Sequence, residues 1–145
     1  MLKLRDLWIS DVEQLVELET KLLGETLGQE MLSTEARNPL AKFIVATYGN
    51  QVIGYIGGWL VAEELEIINF VIDPAYWHQG IGQKMFNALI DYAKAKGAKT
   101  VSLEVKESNQ RAINFYTLQG LKMVRVRKKY YHDGQDAIVM MKELS

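Results

Sequence analysis

Asp73-Pro74-Ala75-Tyr76-Trp77-His78-Gln79-Gly80-Ile81-Gly82 is the stretch on which the reading of this chain turns. It leaves an apolar, β-rich run at Ile72, turns at Asp-Pro, and enters an amphipathic segment through two glycines. From Gly80 to Lys96 the apolar residues Ile81, Met85, Phe86, Leu89, Ile90 and Ala93 recur at three and four, and Gly97 is a natural stop. A helix entered through glycine has free backbone N–H groups at its start with the positive end of the dipole behind them, which suits a phosphate or pyrophosphate. Two glycines alone serve helix packing equally well. A Rossmann fingerprint needs a third glycine where Met85 stands. A Walker loop needs Gly-Lys-Ser/Thr, and Gly82 is followed by Gln83-Lys84-Met85. Both of those nucleotide motifs fail.

At the start of the chain, residues 2–5 read as a first strand. Ser10 with Glu13 makes a capping-box pattern, and Val12, Leu15, Val16, Leu22 and Leu23 then share one helical face. A second helix is predicted over residues 29–37, ending before Asn38-Pro39. Residues 43–48 and 51–61 are strands around a Gly49-Asn50 hairpin turn, and residues 65–72 make the next strand. After the helix over 80–96, residues 100–105 alternate, with Val101, Leu103 and Val105 on one face and Ser102 and Glu104 on the other. A short helix over 109–119 ends at Gly120, and strands over 122–127 and 137–141 close the chain. The order β, α, α, β, β, β, α, β, α, β, β implies an α/β fold: a mixed, mostly antiparallel sheet with helices on both faces and a right-handed β-α-β crossover at the Gly80 helix.

The 145 residues suit one domain over 1–145, and a composition 48% hydrophobic and 24% charged excludes disorder. No apolar run approaches a membrane span and no secretory pattern opens the chain, so a cytoplasmic protein without a membrane partner is expected. With no cysteine there is neither a disulfide framework nor a cysteine nucleophile, and no spaced His/carboxylate set suggests a metal. Net charge is −1, so no direct nucleic-acid partner is expected. The run Lys122, Arg125, Arg127, Lys128, Lys129 reads as the wet face of a strand.

A second dense pattern follows: Ser102-Leu103-Glu104-Val105-Lys106-Glu107-Ser108-Asn109, then Ala112, Tyr116 and Gly120, and a tail with Tyr130-Tyr131 and Asp136-Ala137-Ile138. Taken singly, Glu104 fits an exposed strand residue, Tyr116 a core aromatic, and Asn109 an N-cap. Together with the Gly80-Ile81-Gly82 turn, they resemble motifs A and B of the Gcn5-related N-acetyltransferase (GNAT) superfamily, whose fold is the acyl-CoA N-acyltransferase fold. The match is most similar to the ribosomal-protein alanine (RimI-like) type and covers most of the chain from Ile67 to Met141.

That resemblance implies acetyl-CoA as co-substrate. The turn His78, Gln79, Gly80, Ile81, Gly82 and Gln83 would hold its pyrophosphate, the backbone of Phe70, Val71 and Ile72 its pantetheine arm, and Asn109 would add a contact. An amine attacks a thioester only as the free base, and a carboxylate removes the proton during attack; Glu104 is the candidate base. Tyr116, as the resemblance implies, is the donor to the departing thiolate. Transfer would be direct, in a ternary complex, without a metal. Two departures stand out. Trp77 replaces the family's usual Gln or Arg, leaving Lys84 as a side chain for phosphate. The stretch Leu23-Gly24-Glu25-Thr26-Leu27-Gly28-Gln29 lacks the usual Pro-Trp segment near the acceptor. The expected acceptor is a protein N-terminal amine, such as that of a ribosomal protein. Tyr130 and Tyr131 would wall its groove, and Glu25, Glu63, Glu64 and Glu66 would attract a cation. A small amine (polyamine, aminoglycoside or amino acid) is the alternative, and a non-catalytic acyl-CoA-binding module is the third reading.

Overall fold

The computed structural model describes residues 1–23 and 29–144. The chain runs β1 (Leu2–Asp6), α1 (Val12–Leu23), α2 (Gln29–Arg37), β2 (Ala41–Tyr48), β3 (Gln51–Val61), β4 (Glu64–Ile72), α3 (Ile81–Ala95), β5 (Thr100–Lys106), α4 (Gln110–Leu118), β6 (Lys122–Arg127) and β7 (Ala137–Glu143). The strands form one seven-stranded sheet in the order β1-β2-β3-β4-β5-β7-β6. Only β4 and β5 pair in parallel, and they flank the α3 crossover. The element order and the mixed sheet are those expected from periodicity. None of the described helices is long and apolar enough to cross a membrane.

Two clusters sandwich the sheet. On one face Ile81, Met85, Phe86, Leu89 and Ala93 of α3 pack on Val101, Leu103 and Val105 of β5, with Ile53, Ile56, Leu65 and Ile67. On the other, Val12, Leu15 and Leu18 of α1 cover Phe43, Val45, Val52, Tyr55 and Val71. Met85, Leu89, Ala93 and Val101 are fully buried, and each large apolar side chain so buried contributes roughly 1.5–3 kcal/mol. The Gly49-Asn50 hairpin joins Tyr48 to Gln51, with Gly49 at φ 60°, the positive φ that a tight two-residue turn requires.

The ladder between β3 and β4 is irregular where the site begins. Gly57 pairs with Asn69 and Gly58 with Ile67, so Ile68 is an extra residue in β4. Such a bulge bends its strand. Gly57 is obligatory there, because a Cβ would lie 2.1 Å from the Phe43 ring. Pairing of β4 with β5 stops at Ile67 and Leu103. Beyond that point β4 follows β3 while β5 follows β7.

The entry into α1 differs from the expected Ser10–Glu13 capping box. A 3-10 turn, Ile9–Asp11, precedes the helix, Ser10 is exposed, and the carboxylate that reaches back is Asp11. It accepts the Trp8 N–H at 2.7 Å and a fork of two bonds from Arg5 at 2.8 and 2.9 Å. The preference for Glu three residues after the cap lost to a nearer acid with an arginine partner. Burial alone would raise the Asp11 pKa, but the bonds from Arg5 and the Trp8 amide bring it below the ordinary aspartate value. A depressed carboxylate stabilises the fold above its unfolded pKa and loses that contribution as pH falls through its folded value. We expect Asp11→Asn to lower stability by about 1–3 kcal/mol near neutral pH. Denaturant titrations should find the gap between wild type and variant narrowing below roughly pH 4. A pH-independent gap would mean the pair is not ionic.

Candidate active site

The parting of β4 and β5 opens a cleft of about 490 Å³. Residues 70–72 of β4 form one wall, the turn before α3 the second, and Asn109, Arg111, Ala112, Phe115 and Tyr116 the third. Leu22 of α1 also lines it, so the opening reaches through the sheet towards the α1 face. The edge of residues 70–72 that faces β5 has no ladder partner.

The turn is built as the glycines suggested. Asp73 accepts the Ala75 N–H at 3.0 Å, and Pro74 opens a 3-10 turn ending at Tyr76. His78 at φ 64° and Gly80 at φ 76° both take the left-handed conformation. The Lys84 N–H donates to the Gly80 carbonyl at 3.2 Å, closing the first turn of α3. The N–H groups of the residues ahead of Lys84 therefore have no intrahelical acceptor. A Cβ at Gly82 would sit 3.1 Å from the Ile72 side chain, so glycine lets the helix start press against the end of β4. The Gln83 side chain is engaged with Gln119 at 2.7 Å, which leaves its backbone N–H to the cleft.

Of the candidate cofactor residues, Phe70, Val71, Ile72, His78, Gly80, Ile81, Gly82, Gln83 and Asn109 all line this one cleft. Gln79 lies in the turn but not in the lining. Lys84 is exposed on α3 and also stands outside it. Asn109 caps α4 by accepting the Ala112 N–H at 3.2 Å.

Tyr116 is buried and lines the cleft beside Phe70, Phe86 and Phe115. Burial pushes its phenol well above the ordinary tyrosine range. Glu104 does not line the cleft. It belongs to a second groove of about 370 Å³, with Glu64, Glu66, Ser102, Arg125 and Arg127. Alternation along β4 and β5 puts these carboxylates on the α1 face, opposite Leu65, Ile67 and Leu103. Arg127 Nε lies 3.3 Å from Glu104 Oε1, and its guanidinium stands 5.5 Å from the Tyr130 ring. The Glu104 charge raises the pKa of Tyr130; burial and then Glu104 raise that of Tyr131. The basic run is thus solvent-facing along β6, as expected, except that Arg127 pairs with Glu104 and Lys128 with Asp136. Glu25 and the segment over 24–28 lie outside the described residues.

Two features escaped the sequence reading. Arg111 stacks on Trp77, 3.2 Å from the ring centroid. Glu19 is 1% exposed within α1 and accepts a bond from Asn69 at 3.3 Å, next to the bulge. Burial, and then the Glu19 charge, raises the Tyr55 pKa. A signal existed for the second: Glu19 occupies an apolar-face position between Leu15 and Leu22.

Residues 9–121 match the acetyltransferase (GNAT) family, and the chain belongs to it. It is 33% identical over 113 residues to the ribosomal protein bS18-alanine N-acetyltransferase of Haemophilus ducreyi, covering 74% of this chain and 78% of that protein. It is 29% identical over 141 residues to the N-alpha-acetyltransferase RimI of Mycobacterium tuberculosis, covering 92% and 87%. The crystal structure of the ribosomal-protein-S18-alanine N-acetyltransferase from Escherichia coli superposes with a TM-score of 0.91 at 26% identity, over 100% of this chain and 95% of that one. The chain is an N-acetyltransferase of the α/β GNAT fold.

The burial of Tyr116 has a spectroscopic consequence. In a difference titration of wild type against Tyr116→Phe, the missing phenolate should appear above the ordinary tyrosine pKa of about 10. A difference signal at or below that pH would mean that water reaches the hydroxyl.

Proposed function

We propose that this enzyme transfers the acetyl group of acetyl-CoA to the α-amino group of a protein N-terminus, with an alanine-starting ribosomal protein as acceptor. The observation that carries the reading is the cleft where the β4–β5 ladder ends, with the start of α3 on one wall and residues 70–72 on another; the groove holding Glu64, Glu66 and Glu104 is a separate cavity along the same two strands. The relatives named for bS18-alanine acetylation support the acceptor class.

The residues present fit acetyl-CoA, which supplies an activated acyl thioester. Free N–H groups at the start of α3, with no Cβ at Gly80 or Gly82, suit the diphosphate. The edge of residues 70–72 has no ladder partner, though the Trp77 indole takes the Ile72 carbonyl; the remainder suits an extended, amide-bearing arm, and a backbone N–H there meets the oxygen charge that builds up during attack. The groove carboxylates Glu64, Glu66 and Glu104 draw in a cationic amine, and the two adjoining tyrosines wall its path. An α-amine has a pKa of roughly 8, so part of it is already neutral in the cell. Glu104 takes the remaining proton, directly or through water, as the nitrogen bonds to the acyl carbon. The Tyr116 phenol, kept neutral by burial, gives its proton to the sulfur as the C–S bond breaks and regains one from solvent. The products are the acetylated N-terminus and a free thiol.

Thiol release from acetyl-CoA with an Ala-starting peptide tests this. Glu104→Gln should lower kcat by roughly 10²–10⁴-fold while the KM for acetyl-CoA stays unchanged. Tyr116→Phe should lower kcat without removing cofactor binding. For wild type, kcat/KM should rise with pH through the α-amine pKa of about 8, with no fall from Tyr116 in the ordinary tyrosine range. Faster turnover of a polyamine or aminoglycoside than of any peptide would transfer the acceptor assignment to a small amine. Full activity in Glu104→Gln would remove Glu104 as the base.

A further inference from the structure

A ligand bearing a diphosphate brings several negative charges into the cleft, yet the turn itself carries tryptophan, not a cation, at position 77. Among the described lining residues the one permanently charged side chain is Arg111, in the first turn of α4. Its guanidinium carbon stands over the Trp77 indole, 3.2 Å from the ring centroid, and the indole N–H donates to the Ile72 carbonyl at 2.9 Å. The ring is therefore pinned to the end of β4, and the arginine is carried on it. No ion pair among the described residues gives Arg111 a carboxylate. Stacking uses the face of a guanidinium and leaves its edge, with five N–H donors, for an oxyanion. An arginine at position 77 would repel Arg111; the indole holds it, and a held side chain loses less freedom on binding.

We propose that Arg111, carried on Trp77, is the side-chain cation that binds the diphosphate of the acyl-CoA, facing the free amides at the start of α3. The proposal rests on the acetyl-CoA reading above and adds to it a residue pair joining α4 to the phosphate turn. The role expected of Lys84 falls to Arg111.

Calorimetric binding of CoA, 3′-dephospho-CoA and pantetheine to wild type, Arg111→Ala, Trp77→Leu and the double variant tests it, with thermal unfolding as the control for folding. Arg111→Ala should weaken CoA and 3′-dephospho-CoA by the same factor, roughly tenfold to a hundredfold, and leave pantetheine unchanged. Trp77→Leu should weaken both nucleotides less, and the double variant should bind no worse than Arg111→Ala, because the ring acts through the arginine. The affinity of wild type for CoA should also fall more steeply with salt than that of Arg111→Ala. Unchanged CoA affinity in Arg111→Ala, with wild type binding well, overturns the assignment and leaves the acetyl-CoA reading standing. A loss confined to CoA would move Arg111 to the 3′-phosphate and overturn the diphosphate assignment, and an equal loss for pantetheine would make the role structural. Failure of wild type to bind CoA would overturn both readings.

Discussion

The parallel ladder between β4 and β5 stops at Ile67 and Leu103, and the cleft exists because it stops. Continued pairing would leave no exposed strand edge and no passage from the α3 face to the α1 face. The divergence begins one residue from the bulge at Ile68, where β4 holds one residue more than β3 can match. Gly57 permits the close approach of the Phe43 ring at that point. Unpaired strand edges are ordinarily a liability. Here the edge faces a cleft of about 490 Å³.

Charge is arranged differently on the two sides of that opening. On the cleft side one arginine stands on an aromatic ring, and the rest of the positive field comes from backbone N–H groups and a helix dipole. On the groove side carboxylates predominate, and Glu104 is held by Arg127 next to two tyrosines. In the proposed transfer an anionic donor and a cationic acceptor would be drawn to opposite faces of one sheet. Between them, Glu19 ties α1 to Asn69 immediately after the bulge. A buried carboxylate is costly unless partnered, and this bond joins α1 to β4 beside the bulge.

Much of the fold was legible because each element carries its own period. The α3 stripe, the alternation in β5 and the Gly49-Asn50 turn need nothing outside their own segments, and their boundaries agree within a residue or two. The start of α1 was misread because two acids compete there, and the choice between Glu13 and Asp11 is made by Arg5 from the preceding strand. Lys84 is close to the turn in the chain, yet it is exposed and does not line the cleft. Most of the candidate cofactor residues come together in one cleft because backbone and glycine conformation shape its turn; Glu104 and Tyr116 were proposed by chemical type and motif, and sequence could not reveal that they lie in separate cavities.

The order of elements, the faces that are buried, and a helix start with free amides behind an Asp-Pro turn can all be read along the chain. These depend on spacing within a segment, which local sterics and apolar burial translate directly into structure. Where β4 leaves β5, the placing of Arg111 on Trp77 and the pairing of Arg127 with Glu104 arise only once the elements are packed together. Each of those joins residues from different elements. Their meeting depends on strand register and on how helices seat against the sheet, and no periodicity within one segment encodes either.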